Sequence, residues 1–327
     1  MSERKAGTEE TTPSVWAPLA DRTYRLLWLA LLGSNIGTWM QTVGAQWFLV
    51  DRHSAASLIS LVQTASLLPV FFLSLPAGVL ADTFDRRKLL YITSLAMAAC
   101  GLLLTVLTGA GSLNAYALLG FTFVLGCGAA LTAPAWQAIQ PDLVPREQLP
   151  SAAALGSVTV NAARAVGPAL AGFVIAWAGV TPVFAINAAS FVGMVVALYL
   201  WHEPRRERKD RERFAEALSA GLRYLRSAPG VRRIILRSVL FAAPASALWA
   251  LLPIAASSRF RLGASGYGLL LGALGVGAIA GVATIPRLRR SISANALLAL
   301  SALVFGVATA VVALAPLWPA TRRHAPG

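Results

Sequence analysis

Charge is scarce in this chain, and negative charge scarcest. Of 327 residues only 13% are Asp, Glu, Lys or Arg, and just 14 residues are acidic. Soluble domains carry about 25% charged residues. The shortage, together with 57% hydrophobic residues and a mean hydropathy of +0.65, excludes a water-soluble globule and implies many membrane passages. Cysteine is nearly absent. Cys100 and Cys127 both fall inside apolar runs, which excludes a disulfide framework and leaves two small buried thiols. The three histidines, His53, His202 and His324, lie in loops or the tail, and no His/Cys/Asp/Glu group has metal-ligand spacing. No glycine-rich loop ends in the Lys-Ser/Thr that cradles nucleotide phosphates. These absences argue against an enzyme and call for no metal and no cofactor. The first 23 residues are polar and contain no apolar core of a leader, so the first span is expected to act as its own insertion signal.

What the chain has is apolar length. A spanning helix needs about 20 mainly apolar residues. On that rule nine spans are expected, at 26–50, 58–81, 89–108, 116–138, 153–177, 182–201, 234–256, 266–286 and 293–315. Lys and Arg sort sharply across the connections: 22 lie on one side and only Arg52, Arg259 and Arg261 on the other. Because basic loops stay inside, the N-terminus is expected in the cytoplasm. The net charge of +14 could suggest nucleic acid, but its confinement to short loops beside apolar runs points to helix orientation and contact with anionic lipid instead. The chain divides into a cytoplasmic tail (1–25), six spans (26–201), a basic linker (202–233) and three further spans with a tail (234–327). In the linker, Phe214, Leu218, Leu222 and Leu225 recur at helical spacing before Ala228-Pro229-Gly230 breaks the helix. That pattern suits an amphipathic helix on the inner leaflet or one that binds a partner.

The stretch Gly78 to Leu90 joins the second and third spans through a turn so short that they must lie antiparallel, with Arg86, Arg87 and Lys88 at the inner surface. Its Gly-x-Leu-Ala-Asp-x-x-x-Arg-Arg pattern, carried by Gly78, Asp82, Arg86 and Arg87, resembles the signature loop of the major facilitator superfamily, except that Asp85 stands where glycine is usual. Further runs sharpen the likeness: Ser34-Asn35-Ile36-Gly37-Thr38-Trp39-Met40-Gln41, Pro134 to Ile139, Pro141 to Pro145, Leu149 to Ala152 and Asn161 to Pro168. Together they resemble the transmembrane secretion effector branch of that superfamily, which includes the enterobactin exporter.

The resemblance implies an all-α membrane bundle and no enzyme. It also implies secondary active export of small amphipathic, siderophore- or drug-like solutes across a bacterial inner membrane, driven by protons through alternating access. It carries Asp82, Arg86 and Arg87 over as gate residues. Gly167, Pro168 and Gly172 resemble the glycine-proline motif of antiporter fifth helices, where small residues allow close packing and a bend. The arginine that proton-coupled drug exporters often place four residues before a Gly-x-Gly is absent, since Thr122 precedes Gly126-Cys127-Gly128. The superfamily has twelve spans. Nine form a complete six-helix half and a partial, three-helix second half, so a truncated remnant or non-transporting membrane scaffold stands as the rival expectation.

Polar residues inside spans are costly and usually face a bundle interior or a wet cavity. Ser34, Asn35, Thr38, Gln41, Thr42 and Gln46 fall within an arc of about 140° at 100° per residue. Ser57, Ser60, Gln63, Thr64 and Ser74 fall within about 120° on the same rule. Ser157, Asn161, Arg164 and Pro168 share a face of the fifth span. One polar stripe on each of three helices suggests a common cavity, with Asn35, Gln41, Gln46, Gln63, Asn161 and Arg164 as candidate substrate contacts. Interhelical hydrogen bonding uses the same residue types. Arg164 is the single charge deep inside a span, about eleven residues from the nearer end, with no acidic residue at similar depth. A carbonyl, an amide, water or an anionic or phenolic solute must satisfy it.

Overall fold

The computed structural model describes residues 14–201, 227–289 and 291–314, and every regular element among them is helical. A short turn of 3-10 helix, Ala17–Ala20, leads into α1 (Arg22–Asp51). Then follow α2 (Ala56–Thr83), α3 (Arg86–Gly109), α4 (Ala115–Leu143), α5 (Leu149–Ala178) and α6 (Thr181–Leu200). After residues 202–226 come α7 (Pro229–Ile254), a π-helical turn (Ala255–Arg259), α8 (Ala264–Leu288) and α9 (Ala294–Leu314). These helices coincide with the nine apolar runs and extend beyond them by up to a turn or so into polar caps. Five, α2 to α6, are long and apolar enough to cross a membrane on length and composition alone. α1 carries the polar stripe from Ser34 to Gln46, which lowers its hydropathy. The expected amphipathic linker helix and the tail after Leu314 lie outside the described residues, apart from 227–233, where Ala228 is the extended N-cap of α7.

Helix starts are fixed by short polar side chains. Asp21 accepts the Tyr24 N–H at 2.7 Å, Asp85 that of Lys88 at 3.0 Å, and Asn114 that of Ala117 at 2.8 Å. Each satisfies one of the backbone donors that a helix N-terminus leaves open. Asp85 thus has a structural job at the one position where the basic turn departs from its usual pattern. Asp85→Ala should destabilise the protein by about 1 kcal/mol, seen as an earlier midpoint in a denaturing-detergent titration. An unchanged midpoint would mean the cap contributes nothing.

Within the first six helices, α1 packs on α5 and α6, α2 on α4, and α3 on α4 and α6. α8 packs on α5, and α7 on α2. Two cores hold the ends of the bundle. Near the α2–α3 turn, Leu27, Leu90, Ile139, Leu198 and Trp201 pack together. At the opposite end, Met40, Trp47, Ile175, Leu252 and Tyr267 join α1 and α5 to α7 and α8. Bulky apolar side chains such as Phe71, Phe72, Phe173 and Trp177 point outward, 65% or more exposed. That arrangement suits a hydrocarbon surrounding.

The α5–α8 contact is backbone on backbone. A β-carbon at Gly172 would lie 2.6 Å from the Ala264 carbonyl oxygen and 3.1 Å from Gly268 Cα, so neither helix tolerates a side chain there. Pro168 offers its carbonyl at the same seam, and Gly275 continues it against Ala165. A β-carbon at Gly277 or Gly281, which share the small-residue spacing, would meet nothing within 4 Å among the described residues.

Candidate functional site

A cavity of about 900 Å³ opens between α1, α3, α4, α5 and α6. It runs from Pro141 and Leu149, at the end bearing the α2–α3 turn, inward to Arg164. Arg164 stands fifteen residues along α5 from Leu149, a rise of about 22 Å. Leu31, Met97, Trp136, Phe191 and Met194 give the wall an apolar and aromatic surface, into which Ser34, Thr132, Gln137 and Ser157 set polar groups. No carboxylate lines it among the described residues, and Arg164 is its single charge.

Arg164 is half-buried, with its guanidinium carbon 5.6 Å from the centroid of the Trp39 ring. Its Nε is buried and meets no acceptor among the described residues. A cation–π contact contributes roughly 0.5–2 kcal/mol, less than a buried arginine gains from a carboxylate in its planar fork. The site is therefore electrostatically one-sided: a positive group with spare donors, in a cavity large enough for a small organic molecule.

The structure divides the other candidate residues. Asn35 and Asn161 line the cavity beside Arg164, each with its amide donating to the carbonyl four residues back, of Leu31 and Ser157, at 2.9 Å. Gln41 and Gln46 lie on the same stripe of α1 but above the cavity. Gln41 is buried and accepts from Asn187 of α6 at 3.4 Å. Gln46 donates to the Trp249 carbonyl of α7 at 3.3 Å and accepts from the Tyr267 hydroxyl of α8, so it ties three helices together. Gln63 is half-buried on α2 and does not line the cavity.

At the basic turn, Arg86 donates to the Ala138 carbonyl at 2.8 Å and lies 3.6 Å from the Asp142 carboxylate, pinning α3 to the end of α4. Arg87 donates to the Leu198 and Tyr199 carbonyls at the end of α6, at 3.1 and 3.3 Å. Asp82 is exposed, and Gly78 is half-buried with open space where a β-carbon would sit. Gly167 is a close-approach position: its β-carbon would lie 2.6 Å from Trp39 Cβ, so glycine there lets α5 seat that tryptophan. Pro168 and Gly172 belong to the α5–α8 seam.

Residues outside the predicted set also matter. Trp136 lines the cavity with an indole N–H that is buried and meets no acceptor among the described residues. Trp39 meets Trp249 with ring centroids 5.4 Å apart, and Trp47 stacks on Tyr267 at 6.1 Å. One signal was available for Trp39: tryptophan concentrates at membrane interfaces, whereas this one sits mid-span.

A helical bundle enclosing a mainly apolar cavity set with polar groups, with lipid-compatible outer faces, defines a multi-pass membrane protein of solute-handling architecture. The chain belongs to the transmembrane secretion effector family of the major facilitator superfamily, matching it over residues 13–321. That superfamily consists of transporters and not of enzymes. The chain is 26% identical over 275 residues to the staphyloferrin A transporter of Staphylococcus aureus (strain NCTC 8325 / PS 47), covering 84% of this chain and 69% of that protein. It is 32% identical over 244 residues to the enterobactin exporter EntS of Escherichia coli O1:K1, covering 74% of this chain and 58% of the relative. Against the EntS of Shigella boydii serotype 4 (strain Sb227) identity is 30% over 312 residues, 94% of this chain and 72% of the relative. The chain thus spans between about half and three-quarters of the length of these relatives.

Proposed function

We propose that this protein exports small amphipathic anionic or phenolic solutes, siderophores among them, from the cytoplasm by alternating access. The observation that carries the reading is Arg164, a cation without a carboxylate partner among the described residues, at the inner end of a mainly apolar cavity. An anionic head would pair with Arg164 while aromatic or aliphatic parts rest on Trp136, Phe191 and Met194. Relatives named for enterobactin and staphyloferrin A support that solute class. The basic residues of the α2–α3 turn support a cytoplasmic N-terminus and a cavity open to the cytoplasm, with the α1–α5–α7–α8 core closing the outer end. On this reading residues 26–201 form the solute-binding half and 202–233 a linker to the second half. Coupling to protons is part of the proposal, with Asp51, Asp82 and Asp142, the carboxylates near the ends of the spans, as the groups available to carry them.

Everted membrane vesicles with an imposed acid interior test the proposal. Iron-free enterobactin, staphyloferrin A and salicylate are offered in turn. Accumulation of at least one, abolished by a protonophore, is the expected result. Vesicles that accumulate none of the three at any gradient would sink the export reading.

A further inference from the structure

The cavity's cation and the bundle's closed end are joined by an unbroken line of contacts. Arg164 of α5 lies on the ring of Trp39 of α1. Trp39 packs against Trp249 of α7, the Trp249 carbonyl accepts from Gln46, and Gln46 in turn holds the Tyr267 hydroxyl of α8. Five residues thus connect the cavity to a point where Gln46 of α1 is hydrogen-bonded to both α7 and α8. Gly167 confines Trp39 from the α5 side, so a change at its ring is passed toward α7.

We propose that Trp39 and Trp249 are positioning residues that make closure of the outer end depend on whether Arg164 holds an anion. The reason lies in the shape of the guanidinium. A carboxylate is best bound by two parallel N–H donors in the guanidinium plane, and one edge of that fork is Nε–H. Here Nε is buried and meets no acceptor among the described residues. Presenting that buried edge to an acid in the cavity requires the guanidinium to rotate, and on this reading the rotation loosens its contact with Trp39. The aromatic pair then loses the charge that backs it, and the Gln46–Tyr267 tie loses its support. A ligand shifts a conformational equilibrium only by its differential affinity for the two states. This rotation supplies such a difference, because the anion competes with the contact that favours the closed outer end. The inference rests on Arg164 being the anion site.

Salicylate is the probe. In a full-length chain with Cys100 and Cys127 replaced by alanine, an Ala264→Cys substitution places a reporter thiol in the closed outer core, where the native side chain is 6% exposed. Labelling of this thiol by a membrane-impermeant maleimide should rise several-fold with saturating salicylate. Trp249→Leu should raise labelling without ligand and abolish the response, while salicylate affinity stays within about threefold. Trp249→Phe, which keeps a ring against Trp39, should restore at least half the response. The coupling is overturned if Trp249→Leu responds like its parent, if it loses affinity tenfold, or if the parent binds salicylate without a change in labelling. Salicylate affinity unaltered by Arg164→Gln would instead overturn the assignment of the anion site.

Discussion

Replacing Arg164 by glutamine should weaken salicylate binding by about 10- to 100-fold. Truncating one partner of a buried charge pair costs about 2–5 kcal/mol, and the half-buried setting of Arg164 places it at the lower part of that range. Glutamine keeps a polar group of similar reach and removes the charge, so the substitution isolates the electrostatic contribution from packing on Trp39. Titration calorimetry on purified protein measures the effect. Asn161→Ala and Asn35→Ala should cost much less, because both amides spend a donor on their own helix. Equal affinity in the native and Arg164→Gln proteins would mean that the arginine is structural, held by its cation–π contact alone.

The second large effect concerns the seam between α5 and α8. Gly172→Leu should cut the transport rate by more than tenfold while leaving salicylate affinity within about threefold. A leucine there has nowhere to go, with backbone 2.6 Å from its first carbon, and overpacking of this kind forces helices apart at a cost of about 1–3 kcal/mol or more. Gly172 is absent from the cavity wall, so binding and movement separate. Gly277→Leu on α8 provides the control: it has the same residue type and spacing but meets nothing, and it should transport normally. Proteoliposome flux and binding, measured on both variants, decide the matter. A Gly172→Leu protein with full flux would show that the tight seam is dispensable.

The helices themselves were legible in the sequence, because twenty apolar residues bounded by basic turns allow little besides a spanning helix. Arg164, Asn35 and Asn161 were legible as well, since a polar residue in hydrocarbon must face the interior and the cavity is the interior. Gln41 and Gln46 were harder. Helical periodicity says which face of α1 a residue occupies and not which neighbour stands opposite at each depth. Along one stripe α1 meets the cavity at Asn35, α6 at Gln41, and α7 with α8 at Gln46. The stripe is continuous in sequence and divided in space. Gln63 shows the same limit, on a helix packed mainly against α4, with α7 and α1 beside it. On α8 the spacing of Gly268, Gly272, Gly277 and Gly281 does not say which of them meets a neighbour: Gly268 and Gly272 face α5, and Gly275, outside that spacing, completes the seam. Trp39, Trp249 and Tyr267 went unread because an aromatic residue in an apolar run leaves no mark in a hydropathy profile.

Every residue of the cavity wall falls between Leu31 and Met194, within the first six helices. On the proposed reading the wall that selects cargo belongs to these helices alone, whereas the seam and the outer tie are shared, Gly172 and Gln46 coming from the first six helices and Gly268 and Tyr267 from α8. A lineage acquiring a new solute could redraft the wall of those six helices alone, keeping the seam and the outer tie as inherited machinery. Grafting residues 26–201 from one relative onto the remainder of another is the laboratory form of the same exchange. The hybrid's selectivity should follow the donor of the graft, and its turnover the match between the two sides of the seam, Gly172 from one donor and Gly268 from the other.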